Sequence, residues 1–163
     1  MRTETNTIEI YTFKEASSEL KNKIREHFSN DHDLYEFNME ERISTLKAFS
    51  DLINANLDYA LSCVPDRGEF ISIQPEDNFN EFYEAINDFI NNNESCSLTG
   101  VCYDDDLKHY LKESDIYHDG LKEVWTKYID SMHNEYEYML TDDYLSEHCE
   151  ANEYEFTIDG NLY

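Results

Sequence analysis

Beyond Lys127 the chain contains no lysine or arginine, although ten Asp and Glu lie between Asp130 and Asp159. Proline and glycine are also scarce, with two and four residues among 163. No Pro-, Gly- or Ser-rich linker therefore divides the chain, and no segment repeats at a period of 20–50 residues. An apolar run long enough to cross a bilayer is missing, and MRTETNTIEIYTF lacks the apolar centre of a secretion signal, so a cytoplasmic protein without membrane contact is expected. With no export signal, the four cysteines, Cys63, Cys96, Cys102 and Cys149, fit a reduced compartment better than a disulfide scaffold. A Gly-rich phosphate loop, a G-x-S-x-G elbow and an H-E-x-x-H helix are all lacking, which removes the commonest signatures of phosphoryl transfer, serine hydrolysis and zinc proteolysis.

What is abundant is acid and aromatic ring. Thirty-seven Asp and Glu face twelve Lys and Arg, for a formal charge of −25. Duplex DNA carries a charge every ~1.7 Å of axis, so the same charge occupies about 42 Å of duplex. A compact chain of this length has a radius of gyration of about 15 Å, which makes it as negative per unit length as DNA. Such an excess destabilises the compact state by self-repulsion. Thirteen Tyr and nine Phe nevertheless supply a core, so the chain is read as folded, with residues 1–163 forming a single acidic domain. Fifteen Asn against eight Lys point to an AT-rich gene that would supply lysine freely, so the depletion belongs to the protein.

Hydrophobic periodicity places the elements. Thr7–Phe13 alternates as a strand. Thr12 to Glu15 has capping-box spacing, and Ser17 or Ser18 offers a second cap. Ala16, Leu20, Ile24 and Phe28 form the apolar ladder of a helix whose other side carries Lys21, Lys23 and Arg25. A second helix is expected over Met39–Ala55, and strands over Leu57–Val64 and Glu69–Gln74 flank the turn Pro65-Asp66-Arg67-Gly68. A third helix follows Asn78 or Asn80. Leu98–Tyr103 reads as a short strand, Asp104–Lys112 as a short helix and Gly120–Leu140 as a long one. Thr141 or Asp142 caps a helix to about Cys149, and Glu153–Ile158 is a last strand. The fold class is α+β, a small mostly antiparallel sheet packed against several helices.

The candidate partner-binding residues lie in NEYEYMLTDDYLSEHCEANEYEF. They are Glu135, Glu137, Asp142, Asp143, Glu147, Glu150 and Glu153, with Tyr138 and Tyr144 between them. Glu155, Tyr136 and Tyr154 extend the same pattern. A solvated helical face ordinarily alternates sign to gain i,i+4 pairs, and no base lies within reach in sequence here. Asp143, Glu147 and Glu150 are three or four residues apart. That sets carboxylates about 5–6 Å apart on a helix, comparable to successive phosphates of one strand. Tyrosines between them suit the stems and guanidinium groups of arginine. A second zone, Gly68–Leu107, holds ten acids and no Lys or Arg.

Asp104, Asp105 and Asp106 are grouped with the partner-binding acids and also suit a helix start, where partial positive charge favours them. As a calcium loop the stretch fails, because Lys108 takes a ligand position and the sixth residue is not glycine. Cys96, Cys102, His109 and His118 are spaced more loosely than zinc ligands are, so neither metal nor cofactor is expected. The acids around His148-Cys149 push a thiol towards its unreactive form. With only Lys21, Lys23 and Arg25 gathered on one face, direct nucleic-acid binding is not expected.

Two stretches, IEIYTFKEASSELKNKIREHF (Ile8–Phe28) and ANEYEFTIDGNLY (Ala151–Tyr163), resemble the opening and close of a group of small acidic phage and prophage proteins. Ala16-Ser17 stands where that group tends to have Leu-Ser. The resemblance implies a source in a mobile element of a low-GC bacterium and no particular chemistry. By analogy with anti-restriction and anti-CRISPR inhibitors, the expectation is a non-enzymatic inhibitor of a bacterial defence nuclease, foremost a CRISPR effector. It would mimic DNA and occupy a basic channel. The alternatives are an acidic adaptor or antitoxin-like module that binds a basic protein away from its nucleic-acid site, and a metal-dependent hydrolase with scattered Asp and His.

Overall fold

The computed structural model describes residues 8–30, 33–62, 68–76, 78–91, 98–117 and 120–163. Its described residues form six helices and two two-stranded antiparallel sheets, an α+β fold. Where length and composition suggest one domain, the chain divides into two compact units. Unit 1 comprises residues 1–34 and 135–163, and unit 2 comprises residues 35–134.

In unit 1, β1 (Ile10–Thr12) pairs antiparallel with β4 (Glu155–Thr157), setting Tyr11 opposite Phe156. Two segments far apart in sequence thus meet in one sheet. Between β1 and α1 (Ser18–Ser29), Thr12 and Glu15 make the reciprocal bonds of a capping box. The Thr12 N–H donates to Glu15 Oε2 at 3.1 Å, and the Glu15 N–H to Thr12 Oγ1 at 3.4 Å. The box closes a turn rather than starting the helix. Ser17 is the true cap, its Oγ accepting from the Leu20 N–H at 3.2 Å.

Helix α1 buries Leu20, Ile24 and Phe28, which pack with Phe13, Ala16, Phe156 and two residues of α6 (Asp142–Ala151), Leu145 and Cys149. Thr141 caps α6, accepting from the Tyr144 N–H at 3.3 Å. At the close of the chain Gly160 has φ +84, and a Cβ there would lie 2.7 Å from Lys23 Cβ. Only glycine fits that approach.

Unit 2 contains most of α2 (Asp33–Leu52) and of α5 (Gly120–Met139), together with the hairpin β2 (Ala55–Ala60) and β3 (Phe70–Pro75), α3 (Phe79–Asn91) and α4 (Cys102–Glu113). Its core gathers Leu46, Phe49 and Ile53 with Ile71, Ile73, Phe82, Ile86, Leu107, Leu111, Val124 and Trp125.

Several boundaries differ from the sequence reading. Helix α2 starts earlier because Tyr35, buried one turn before Met39, extends its apolar stripe. It ends earlier because Asn54 adopts φ 51, the left-handed conformation that asparagine tolerates at a helix end. The strand expected over Leu98–Tyr103 does not form: residues 98–101 are bends and α4 begins at Cys102. The turn residues Pro65, Asp66 and Arg67 lie outside the described residues, as do Cys63, Cys96 and His118.

Gly160→Ala is expected to destabilise unit 1 by about 2–3 kcal/mol, since backbone strain and the overlap with Lys23 add. Gly100→Ala, with φ +87 but nothing within 4 Å of its Cβ, is expected to cost only about 1 kcal/mol. Urea denaturation of the two variants measures the difference.

Candidate protein-docking face

All the C-terminal candidates fall within unit 1. Helix α6 displays Asp143, Glu147 and Glu150 on its exposed side while Leu145 and Cys149 are buried, so the helical spacing read from the sequence holds. Glu137 and Tyr138, on the last turn of α5, are exposed, as are Glu153 and Glu155. Glu135, Tyr136, Tyr144 and Tyr154 are half-buried.

The tyrosines form a connected row. Tyr138 meets Tyr144 edge-on at 5.6 Å between centroids, Tyr144 stacks on His148 at 5.6 Å, and His148 meets Tyr154 edge-on at 5.7 Å. Phe28 backs the row, with its centroid 5.8 Å from His148 and 6.4 Å from Tyr154. Each contact lies in the favourable range for aromatic pairs. Burial, followed by the negative charge of Glu135, raises the Tyr144 pKa above its ordinary value, so its hydroxyl stays a donor at neutral pH.

Not all of the acids are free to meet a partner. Asp142 is bound by Arg25 and by Lys21, the latter at 3.3 Å, and the Arg25 hydrogen bond is the first cause that lowers its pKa. Glu150 pairs with Lys14. The inference that this stretch lacks cationic partners therefore fails for these two, because α1 and the turn before it supply bases from more than 110 residues away. Glu137, Asp143, Glu147, Glu153 and Glu155 have no ion pair among the described residues. Like charges at this spacing repel and are tolerated because the opposite face of α6 is packed.

Asp104 corrects the sequence reading. It is 3% exposed, so it presents nothing to a partner. Its Oδ2 accepts from the N–H groups of Thr99 and Gly100 at 2.8 and 2.9 Å. Its Oδ1 accepts from the hydroxyls of Thr45 and Thr99 at 2.8 and 2.9 Å. Burial alone would raise its pKa, but these four bonds to the charged form outweigh it and hold the carboxyl below its ordinary value. The carboxylate draws residues 98–101 out of the strand expected there. Asp105 is exposed and Asp106 half-buried, both in unit 2. The acids of α3, Glu81, Glu84 and Asp88, are exposed opposite Phe82, Ile86 and Phe89, as its periodicity requires. In the same zone Glu69 is committed: its Oε2 lies 2.6 Å from His133 Nε2.

Two features escaped the sequence reading. Arg42 is 2% exposed, with its guanidinium carbon 4.1 Å from the Tyr103 ring centroid and 5.4 Å from that of Tyr128, and it donates to Ser131 Oγ at 3.0 Å. A polar residue on the apolar stripe of α2, three positions after Met39, was the available signal. The second is a cavity of about 270 Å³ in unit 1, between the turn after β1, α6 and the start of β4. It lies beside Cys149, whose thiol pKa burial raises to about 11. The unreactive direction agrees with the sequence reading, while the cause is burial rather than neighbouring acids.

No protein-family model matches the chain, and neither curated proteins nor solved structures show significant similarity to it. Among the described residues no helix is long and apolar enough to cross a membrane, and no three His, Cys, Asp or Glu are grouped to hold a metal ion.

Asp104→Ala strands four donors and is expected to cost unit 2 about 3 kcal/mol, against about 1 kcal/mol for Asp104→Asn, whose amide still accepts. Because the folded pKa lies below the unfolded value of about 3.9, this stabilisation is complete above about pH 4 and is lost as pH falls through the folded pKa. The acid limb of the urea midpoint should be shallower in Asp104→Asn than in the parent.

Proposed function

We propose that this chain is a non-enzymatic inhibitor, encoded by a phage and active in the bacterial cytoplasm, that mimics DNA in the basic channel of a host defence nuclease. A CRISPR effector is the foremost target. The observation that carries the reading is the exposed series Asp143, Glu147 and Glu150 on one helix, joined by Glu137 and Glu153 and interleaved with a row of touching rings, Tyr138, Tyr144, His148 and Tyr154.

The chemistry follows from the channel. Effectors that hold a guide–target duplex do so through Lys and Arg against its backbone. Carboxylates at one- to two-turn intervals offer those bases alternative partners, and steer association by long-range attraction that salt screens. The tyrosine row adds flat surfaces on which arginine packs. Asp143 and Glu147 carry most of this, since Asp142 is already neutralised. The resemblance of Ile8–Phe28 and Ala151–Tyr163 to acidic phage proteins supports the same source.

A second reading is an adaptor or antitoxin-like protein that binds a basic partner away from its nucleic-acid site. The cavity beside Glu150 favours it, because a mimic of a phosphate backbone has no need of an apolar-walled recess.

A gel shift of a purified RNA-guided effector on its target duplex separates the two. Stoichiometric protein is expected to abolish the shift, and Asp143→Lys/Glu147→Lys to weaken inhibition by about tenfold or more at physiological salt. Asp142→Asn should instead lower the stability of unit 1. A complex that retains its DNA supports the adaptor reading and overturns mimicry.

A further inference from the structure

We infer that the cavity of unit 1 is an anchor site for an arginine side chain of the basic partner. This rests on the reading that the acidic face docks a basic protein, and it names the contact that fixes the docked position.

The cavity holds about 270 Å³. Phe13 and Cys149, each 2% exposed, and Tyr154 provide apolar and aromatic wall, while Glu150, Glu153 and Glu155 stand at its edge as exposed carboxylates. Apolar wall beneath a carboxylate rim complements one side chain in particular. Arginine combines an aliphatic stem, a weakly hydrated planar head that packs on rings, and a donor fork that meets a carboxylate with two bonds. Lysine has a compact, strongly hydrated head and gains less from such walls.

The rim already receives a cation from this chain. Lys14 lines the same cavity and pairs with Glu150, with the two side chains 59% and 67% exposed. Pairs so exposed are weak, so an incoming guanidinium displaces the ammonium at little cost. Phe13 accepts a cation as well, Lys21 Nζ lying 4.9 Å from its ring centroid. The chain also holds its own guanidinium in this manner in unit 2, where Arg42 packs on Tyr103 and Tyr128.

Glu153 occupies φ 55 just past the end of α6, a position where glycine is the favoured residue. Its N–H donates to the Glu150 carbonyl at 3.2 Å, and the Tyr154 N–H to that of Cys149 at 2.9 Å, so the backbone of the site is closed without its side chain. Glu153→Gly therefore removes a rim carboxylate from a chain that should fold more firmly.

The test is a titration of the isotopically labelled full chain, followed by amide NMR, with the N-acetyl amides of arginine, lysine and leucine as probes. Arginine amide is expected to give saturable shifts at residues 12–14 and 146–155. Lysine amide should bind at least about fivefold more weakly and leucine amide should leave these signals in place. Glu153→Gly should raise the unfolding midpoint and weaken arginine binding at least about threefold. Shifts from arginine that never saturate, that scatter over the acids of both units, or that leucine amide reproduces would each overturn the anchor. A chain that captures the nuclease yet ignores arginine amide overturns the anchor and leaves the docking reading intact. A chain that binds arginine amide here but captures no basic nuclease does the reverse.

Discussion

A helix that carries carboxylates at three successive turns repels itself, and α6 stays folded because its other side is buried. Leu145 and Cys149 pack on Leu20, Ile24, Phe28 and Phe156, and the apolar area removed from water there opposes the repulsion. Among the described residues the bases of α1 meet the acids of α6 at one point: Lys21 and Arg25 neutralise Asp142, the first residue of α6. Asp143 and Glu147 beyond it have no ion pair among the described residues. Along α6, Asp142 at its start and Glu150 near its end are tied by ion pairs, and Asp143 and Glu147 are displayed between them.

The aromatic row gives that display its rigidity. Tyr138, Tyr144, His148 and Tyr154 touch in sequence, and His148 and Tyr154 rest on Phe28, so the inner rings of the row would have little freedom left to lose on docking. Preorganisation of this kind lowers the entropy cost of docking. It also explains why tyrosine rather than serine or threonine separates the acids: a ring contributes to the packed layer at one edge and offers its hydroxyl at the other.

Much of this was legible from local pattern. Leu20, Ile24 and Phe28 are spaced for one helical face and are buried on it, and Asp143, Glu147 and Glu150 share the opposite side of their helix as their spacing requires. What was illegible depends on contacts between distant residues. Nothing near Asp142 or Glu150 in sequence announces Arg25 or Lys14, and the pairing of β1 with β4 that brings them close is a long-range event. Asp104 misled for a related reason. Three consecutive aspartates read as surface charge, but Thr45, far earlier in the chain, together with Thr99 and Gly100, surrounds the first of them with donors.

We propose that the face built from the end of α5, α6 and the start of β4 is where a basic partner docks. The decisive measurement is hydrogen–deuterium exchange of the chain alone and mixed with an RNA-guided effector. Added protection is expected in peptides covering residues 137–155, with α3 and its acids unchanged. Protection confined to Phe79–Asn91, or spread evenly over both units, would contradict it.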